Sequence, residues 1–410
     1  MPPAAGVRAD RRKRPKDRKQ QIAGVSAEAF SELGYHGVSM EDIAGRVGVT
    51  AASLYRHYSR KYDLFRAAVL GLGEQLDECT AFIESDTAGP PERTWDRAVD
   101  ALVDVTLKNR TSGGLYRWEG RYLEPHDQLT LNDQIKLVNR RLQQPLSSLR
   151  PDLDSHQRWI LSSAVLSVIG SITDHRARLP NERVRVALAG ITRAVRDAEL
   201  PAEAPVPAAP PVRTVGAAAG EYEQILHAAM LLFNDRGYRD TGMDDIAAAT
   251  GLATSAIYRF FTGKSAILAA AYRRAADRVS GDVSAILAAA VDCHEAVDGL
   301  VDAYVRRSFA SPEVAYVYYA ERVNVPAPDR VALHNMQRAT VEAWVRQVTA
   351  ARPDLPEGEA RFAVHAAFAL VVDLGRLVQY VESESSQAVV RELVLTTLLG
   401  HRHPSVTLTE

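Results

Sequence analysis

Cysteine is nearly absent. Cys79 and Cys293 are the two in 410 residues, too few for a disulfide framework and set at no metal-ligand spacing. That usage fits a reducing compartment, and a cytoplasmic setting is expected. No apolar run reaches the roughly 18 residues of a membrane span, and the N-terminus is charged where a secretory leader would be apolar. The chain contains no Gly-x-Ser-x-Gly elbow, no His-Glu-x-x-His and no phosphate-binding Gly-x-x-x-x-Gly-Lys loop. An enzyme is therefore disfavoured, and no cofactor or metal is expected; His401 and His403 read as a solvated end. Period-2 alternation is missing too, which leaves an all-α fold. A net charge of −2 argues against a uniformly basic surface, while 46% hydrophobic residues can supply sizeable cores.

The stretch from Gly34 to Phe65 stands out. Ser39 suits a helix N-cap, with Asp42 as the acidic N3 partner of a capping box. Ile43, Ala44 and Val47 form an apolar face at helical spacing, and Gly48 supplies a turn that wants positive φ. Thr50 can cap a second short helix whose Leu54 and Tyr58 face inward. Ala52, Ser53, Tyr55 and Arg56 are then left on the outer side. Small, hydroxyl and cationic groups on a short helix suit a DNA major groove. Lys61, at the start of the next helix, is expected to meet a phosphate. An ordinary helical hairpin is the competing reading.

Repetition favours the first reading. Gly237 to Leu268 aligns with this stretch without a gap at an offset of 203, matching Met40/Met243, Asp42/Asp245, Ile43/Ile246, Gly48/Gly251, Tyr55/Tyr258, Arg56/Arg259 and Lys61/Lys264. Further on, Tyr116, Glu119, Asp127 and Arg150-Pro151-Asp152-Leu153 recur at an offset of 202, as Tyr318, Glu321, Asp329 and Arg352-Pro353-Asp354-Leu355. Pro201 to Pro211 is Pro/Ala-rich, cannot bury a core and reads as an extended linker. The expected division is an arm over 1–15, DNA-binding domains over 16–65 and 219–268, helical domains over 66–200 and 269–402, and a linker over 201–218. Helices are predicted over Asp17–Leu33, Lys61–Ile83, Ser155–Leu179 and Asn181–Leu200, among others.

Charge separates the copies. Residues 1–70 hold 13 Lys/Arg against 7 Asp/Glu, whereas 204–273 hold 6 of each. The excess sits in a basic run that includes Arg11, Arg12 and Arg14. It reads either as a solubilising tail or as an arm that follows phosphates or enters a minor groove.

With Phe30 and Phe233 in the first helices, and Tyr55-Arg56-His57-Tyr58 and Tyr258-Arg259-Phe260-Phe261 at the ends of the second ones, the chain resembles the TetR family of bacterial transcriptional repressors, twice over. The tandem plan and the run Arg14 to Lys19 look most like the double-TetR regulators of mammalian-cell-entry lipid-import operons in actinobacteria. The resemblance implies operator DNA as partner. Ser39, Thr50 to Ser53, Tyr55, Arg56 and Lys61 would face it in the first module, and Thr254, Ser255, Tyr258, Arg259 and Lys264 in the second. It also implies helical cavities for a small lipid-like effector, acyl-CoA or steroid-CoA among the candidates. Tyr116, Trp118, Glu119 and Tyr122 are the pocket candidates in one copy, and Tyr318, Tyr319 and Glu321 in the other. The last two helices of each copy, about Ser155–Leu200 and Gly358–Leu399, would pair through Leu161, Val165 and Ile169 against Ala366, Leu370 and Leu374. One chain would then be a pseudo-dimer with recognition helices about 34–36 Å apart, and further self-association stays open. An architectural DNA-binding protein without an effector is the alternative that Ala51, Ala52 and Ala253 keep alive.

Overall fold

The computed structural model describes residues 15–86, 89–201, 220–380 and 383–400. Arg11, Arg12 and Arg14 of the basic arm, nearly all of the linker, and His401 and His403 lie outside them. Among the described residues every regular element is helical. The first repeat forms α1 (Pro15–Gly37), α2 (Met40–Val47), α3 (Ala51–Tyr55), α4 (Lys61–Thr80), α5 (Pro91–Lys108), α6 (Gly114–Trp118), α7 (Pro125–Leu149), α8 (Ser155–Gly170) and α9 (Asn181–Arg196). The second gives α10 (Glu221–Arg236), α11 (Met243–Thr250), α12 (Thr254–Ile257), α13 (Lys264–Ala289), α14 (Cys293–Ala310), α15 (Pro312–Glu321), α16 (Ala327–Ala351), α17 (Glu357–Leu377) and α18 (Glu384–Leu399).

Local chemistry accounts for many of the boundaries. Asp154 caps α8 by accepting from the Gln157 amide at 2.8 Å, and Gln157 reciprocates on the Asp154 amide at 3.0 Å. Asp292 caps α14 through the Glu295 amide at 2.8 Å. Proline opens α5 and α15, where its missing N–H costs nothing and its fixed φ suits the first turn. On α5 the residues Trp95, Ala98, Val99, Leu102 and Val103 are buried at helical spacing.

Packing divides the chain into two units. One takes residues up to Gln75 together with Thr111–Gln134; the other takes Leu76–Arg110 and everything from Ile135 onward, including the whole second repeat. In the larger unit α17 is the central element. It packs against α8 and α9 of the first repeat and against α14, α15, α16 and α18 of its own. Leu161, Val165 and Ile169 of α8 and Ala366, Leu370 and Leu374 of α17 are all buried, as their stripes required. Polar links join the same helices: Ser167 Oγ donates to Asp373 Oδ2 at 2.7 Å, and Arg183 Nε to Glu359 Oε1 at 2.7 Å. His175 and His365 stack with ring centroids 4.0 Å apart and planes 6° from parallel. Burial drives both imidazoles toward the neutral form, with His365 lowered to about 4.

The predicted helix Ser155–Leu179 is shorter than expected. After Gly170 the hydroxyls of Ser171 and Thr173 donate to the Val168 and Gly170 carbonyls at 2.7 and 2.9 Å, and the chain tightens into a single 3-10 turn. It then runs without regular structure to Pro180, which opens α9. Leu179, from that stretch, lies so close to α17 that a Cβ on Gly358 would meet its Cδ1 at 2.9 Å.

Because Leu370 is fully buried on α17, Leu370→Ala should destabilise the larger unit by about 2–5 kcal/mol. Urea unfolding followed by circular dichroism checks this; an unchanged midpoint would contradict the packing described.

Candidate nucleic-acid interface

The first module is built around a turn that only glycine tolerates. Gly34 takes φ 74° and ψ 157°, interrupting α1 and reversing the chain toward α2. Tyr35 follows and is held on both sides. Its amide donates to Glu119 Oε2 at 2.9 Å, while its carbonyl accepts from Lys61 Nζ at 3.0 Å. Lys61 also donates to the Val38 carbonyl at 3.1 Å and stands 4.6 Å from the Tyr35 ring centre. Phe30 and Phe65 meet edge to face at 5.3 Å beneath the turn.

Ser39 and Asp42 close the expected capping box on α2, and the hydrogen bonds from Ser39 hold the Asp42 carboxyl below its ordinary range. Gly48 takes the left-handed conformation at φ 71°. Thr50 Oγ1 accepts from the Ser53 amide at 3.2 Å and starts α3. Leu54 is fully buried, and the buried Tyr58 hydroxyl donates to the Lys19 carbonyl at 3.2 Å. Ala52, Tyr55 and Arg56 face outward, with Ala51 and Ser53 half-buried beside them.

The second module repeats the turn. Gly237 has φ 87° and ψ 156°, the Tyr238 amide donates to Glu321 Oε1 at 2.9 Å, and Lys264 Nζ donates to the carbonyls of Tyr238, Arg239 and Thr241 at 2.7, 3.0 and 2.9 Å. Its caps differ. Gly242 stands where Ser39 did, so Asp245 accepts from the Gly242 amide at 2.7 Å with no side chain to reciprocate. Ala253 stands where Thr50 did and gives α12 no side-chain cap. Ser255, Tyr258 and Arg259 are exposed; Arg259 pairs with Glu221 at 3.2 Å, and the half-buried Thr254 hydroxyl donates to Asp244 at 2.8 Å.

Two expectations need correcting. The lysines assigned to phosphate are turned inward: an ammonium has three N–H donors, and three carbonyls of one turn take those of Lys264. Burial, reinforced by Arg239, lowers its pKa. Glu119 and Glu321, expected among the pocket groups, are each placed on a turn amide of their own module. Tyr122 stacks 6.0 Å from Tyr35 and meets His36 edge-on at 4.8 Å, so it packs on the DNA-binding module. Trp118 is buried under the Arg117 guanidinium, and Tyr116 is half-buried on α6.

A cavity of about 170 Å³ lies among α13, α14, α15, α16 and α17. Of the residues expected there, Tyr318 and Tyr319 line it and Glu321 does not. Tyr272, Tyr304, Met336 and Phe368 add apolar wall; Gln337, Arg278 and Arg307 add polar groups that the sequence did not single out. They come from separate helices at no common spacing. Tyr318 Oη donates to Gln337 Oε1 at 2.8 Å, and burial pushes the Tyr318 phenol up to about 12, keeping it a neutral donor. Among the described residues no helix is long and apolar enough to cross a membrane, and no cluster of three metal-ligating side chains occurs.

Lys264→Met leaves three turn carbonyls without their donor and should cost about 1–3 kcal/mol of stability. The salt dependence of DNA binding should stay unchanged, because the ammonium is engaged within the chain. Thermal melts paired with a salt titration separate these effects; a shallower salt slope at unchanged stability would restore the phosphate role.

A family model described as bacterial regulatory proteins, tetR family, matches residues 22–68 and again 225–271. The HTH-type transcriptional activator FasR of Mycolicibacterium smegmatis is 37% identical over 187 residues, covering 44% of this chain and 81% of that protein. The HTH-type transcriptional repressor KstR2 of Rhodococcus jostii is 26% identical over 137 residues, 33% of this chain and 67% of that one. Among solved structures, the ketosteroid transcriptional regulator KstR2 of Mycobacterium tuberculosis aligns at 19% identity and a TM-score of 0.41, covering 46% of this chain and 98% of that chain. FasR and KstR2 of Rhodococcus jostii are transcription regulators rather than enzymes, and each aligns with less than half of this chain. The chain belongs to the tetR family of bacterial regulatory proteins and carries the family's DNA-binding helix-turn-helix module twice.

Proposed function

We propose that a single chain acts as an intrachain pseudo-dimer on an asymmetric operator, repressing transcription until a lipid-like ligand enters the cavity. One observation carries this reading: α8 and α9 of the first repeat bury their apolar faces against α17 and α18 of the second. Helices that would otherwise need a second copy have an equivalent partner within the chain. In this reading the two recognition helices meet successive major grooves, about 34–36 Å apart along the DNA. The exposed sets share Tyr55/Tyr258 and Arg56/Arg259 but place Ala52 against Ser255, a methyl group against a hydroxyl donor, so the two helices then read different bases. A homodimer presents one surface twice and favours a palindrome; this chain has no such constraint.

The effector reading rests on the cavity, whose aromatic walls with a few polar groups suit an apolar ligand. Arg307 and Arg278 in its lining are paired with Asp282 and Glu223, and a carboxylate or phosphate head, as in an acyl-CoA or steroid-CoA, would compete with those carboxylates for them. Genes of lipid import or lipid metabolism, including mammalian-cell-entry operons, are the proposed targets, with the protein acting on cytoplasmic DNA.

Sedimentation of the complex on the shortest functional site should show one chain per site; two chains would overturn the pseudo-dimer. Sequences selected from a random pool should be asymmetric, and a perfect palindrome would count against the reading. Arg56 is exposed and has no ion pair among the described residues, so Arg56→Ala should reduce the magnitude of the salt slope by about 1. A slope equal to that of the unaltered chain would remove Arg56 from the phosphate contacts.

A further inference from the structure

Helix α15 does two things within ten residues. Val314, Ala315, Tyr318 and Tyr319 form part of the cavity wall, and Glu321, one turn beyond Tyr318, reaches the DNA-binding module. Glu321 is 1% exposed, and both its carboxylate oxygens have partners: Oε1 accepts from the Tyr238 amide at 2.9 Å and Oε2 from Asn324 Nδ2 at 2.7 Å. On the other side of Tyr238, its carbonyl accepts from Lys264 at 2.7 Å. Lys264 opens α13, which follows the recognition helix α12 after six residues. A second tie joins the same helices, since the Tyr272 hydroxyl on α13 donates to the Val317 carbonyl on α15. Tyr272 also lines the cavity.

We propose that Glu321 is a positioning residue for DNA binding: it latches the module's turn to the cavity wall, and an occupant that shifts α15 releases the Tyr238 amide and re-aims α12. The inference rests on the reading of this cavity as ligand-responsive. Three observations point to the latch. The buried carboxylate engages the backbone of a turn 83 residues away, where a side-chain partner would have left that amide unpaired. The turn is already confined by Gly237, whose φ of 87° other residues rarely adopt, so its freedom is narrow and a displacement there passes to α11 and α12. And the arrangement occurs twice, since Glu119, Tyr35 and Lys61 repeat the carboxylate, turn and ammonium at matching positions. Recurrence across repeats that differ in their helix caps marks the clamp as a feature the fold keeps.

Coupling of this kind requires that the two states of the turn bind the occupant unequally. Hydrogen exchange at the Tyr238 amide reads it directly, in the full chain and without knowledge of the operator. The cavity is filled in two ways: with the apolar anion 1-anilinonaphthalene-8-sulfonate, and with Ala276→Phe, which places a ring inside it from α13. Either should speed Tyr238 exchange at least tenfold while amides within α17, which report global opening, stay protected. Glu321→Ala should show the fast exchange with the cavity empty and no further response to the dye; Glu321→Gln, which keeps an acceptor oxygen, should restore most of the protection. Unchanged Tyr238 exchange in both the dye complex and Ala276→Phe overturns the latch, as does a dye response of full size in Glu321→Ala. If the dye does not bind, or binds Ala276→Phe equally well, the ligand reading of the cavity falls. The exchange of Ala276→Phe then upholds or overturns the latch on its own.

Discussion

Helix α17 is apolar nearly all round. Phe362, Val364, Phe368, Leu370, Val372 and Leu374 are buried at positions that span its circumference, so neighbours are needed on every side. Two of those, α8 and α9, come from the first repeat and four, α14, α15, α16 and α18, from its own, and removing either group would expose a continuous apolar surface. The architecture of the larger unit follows from this. Gly358 allows Leu179 to approach, Ser167 satisfies Asp373, and Arg183 satisfies Glu359. An isolated second repeat would leave those two carboxylates without these first-repeat donors, at a cost beyond lost apolar contact.

The DNA-binding modules depend on a different constraint. Each has a positive-φ glycine followed by a tyrosine whose amide meets a carboxylate and whose carbonyl meets an ammonium. These are charge-assisted bonds to groups that would otherwise compete for water, and they fix the angle at which the chain leaves the first helix. What lies outward is left free to differ. The turn is therefore the shared scaffold, and the exposed residues of α3 and α12 carry the distinction between the copies.

Local features were legible in the sequence. The Ser39–Asp42 box, the Gly48 turn and the Leu54/Tyr58 inner face depend on neighbours within a few residues, and spacing alone reveals them. The lysines were misread for the opposite reason. Their acceptors are carbonyls 23 to 26 residues upstream, which come within reach once the three helices have packed. Glu321 is 83 residues from the amide it holds, and its place beside the clustered aromatics Tyr318 and Tyr319 suggested a pocket. Tyr304 and Phe368 meet with tilted rings 4.8 Å apart from different helices, so the cavity they line has no signature in either helix alone. The early end of α8 was hidden because the hydroxyls that stop it sit in an otherwise apolar run.

The unequal caps bear on how the second module holds its recognition helix. At four residues, α12 has no intrinsic tendency to persist, because nucleating a turn fixes several dihedrals for one hydrogen bond. In the first module the Thr50 cap offsets part of that; Ala253 offers no such group. The position of α12 is then set from its ends and its underside: Gly251 in the left-handed region at φ 69° before it, buried Ile257 and Phe261 beneath and after it, and the lysine clamp beyond. The buried side chains and the clamp are tertiary contacts, and the clamp leads through Tyr238 to Glu321 at the end of a cavity-lining helix. A recognition helix that carries little of its own stability is governed by what it rests on. In this module the support extends, through a single turn, to the wall of the cavity.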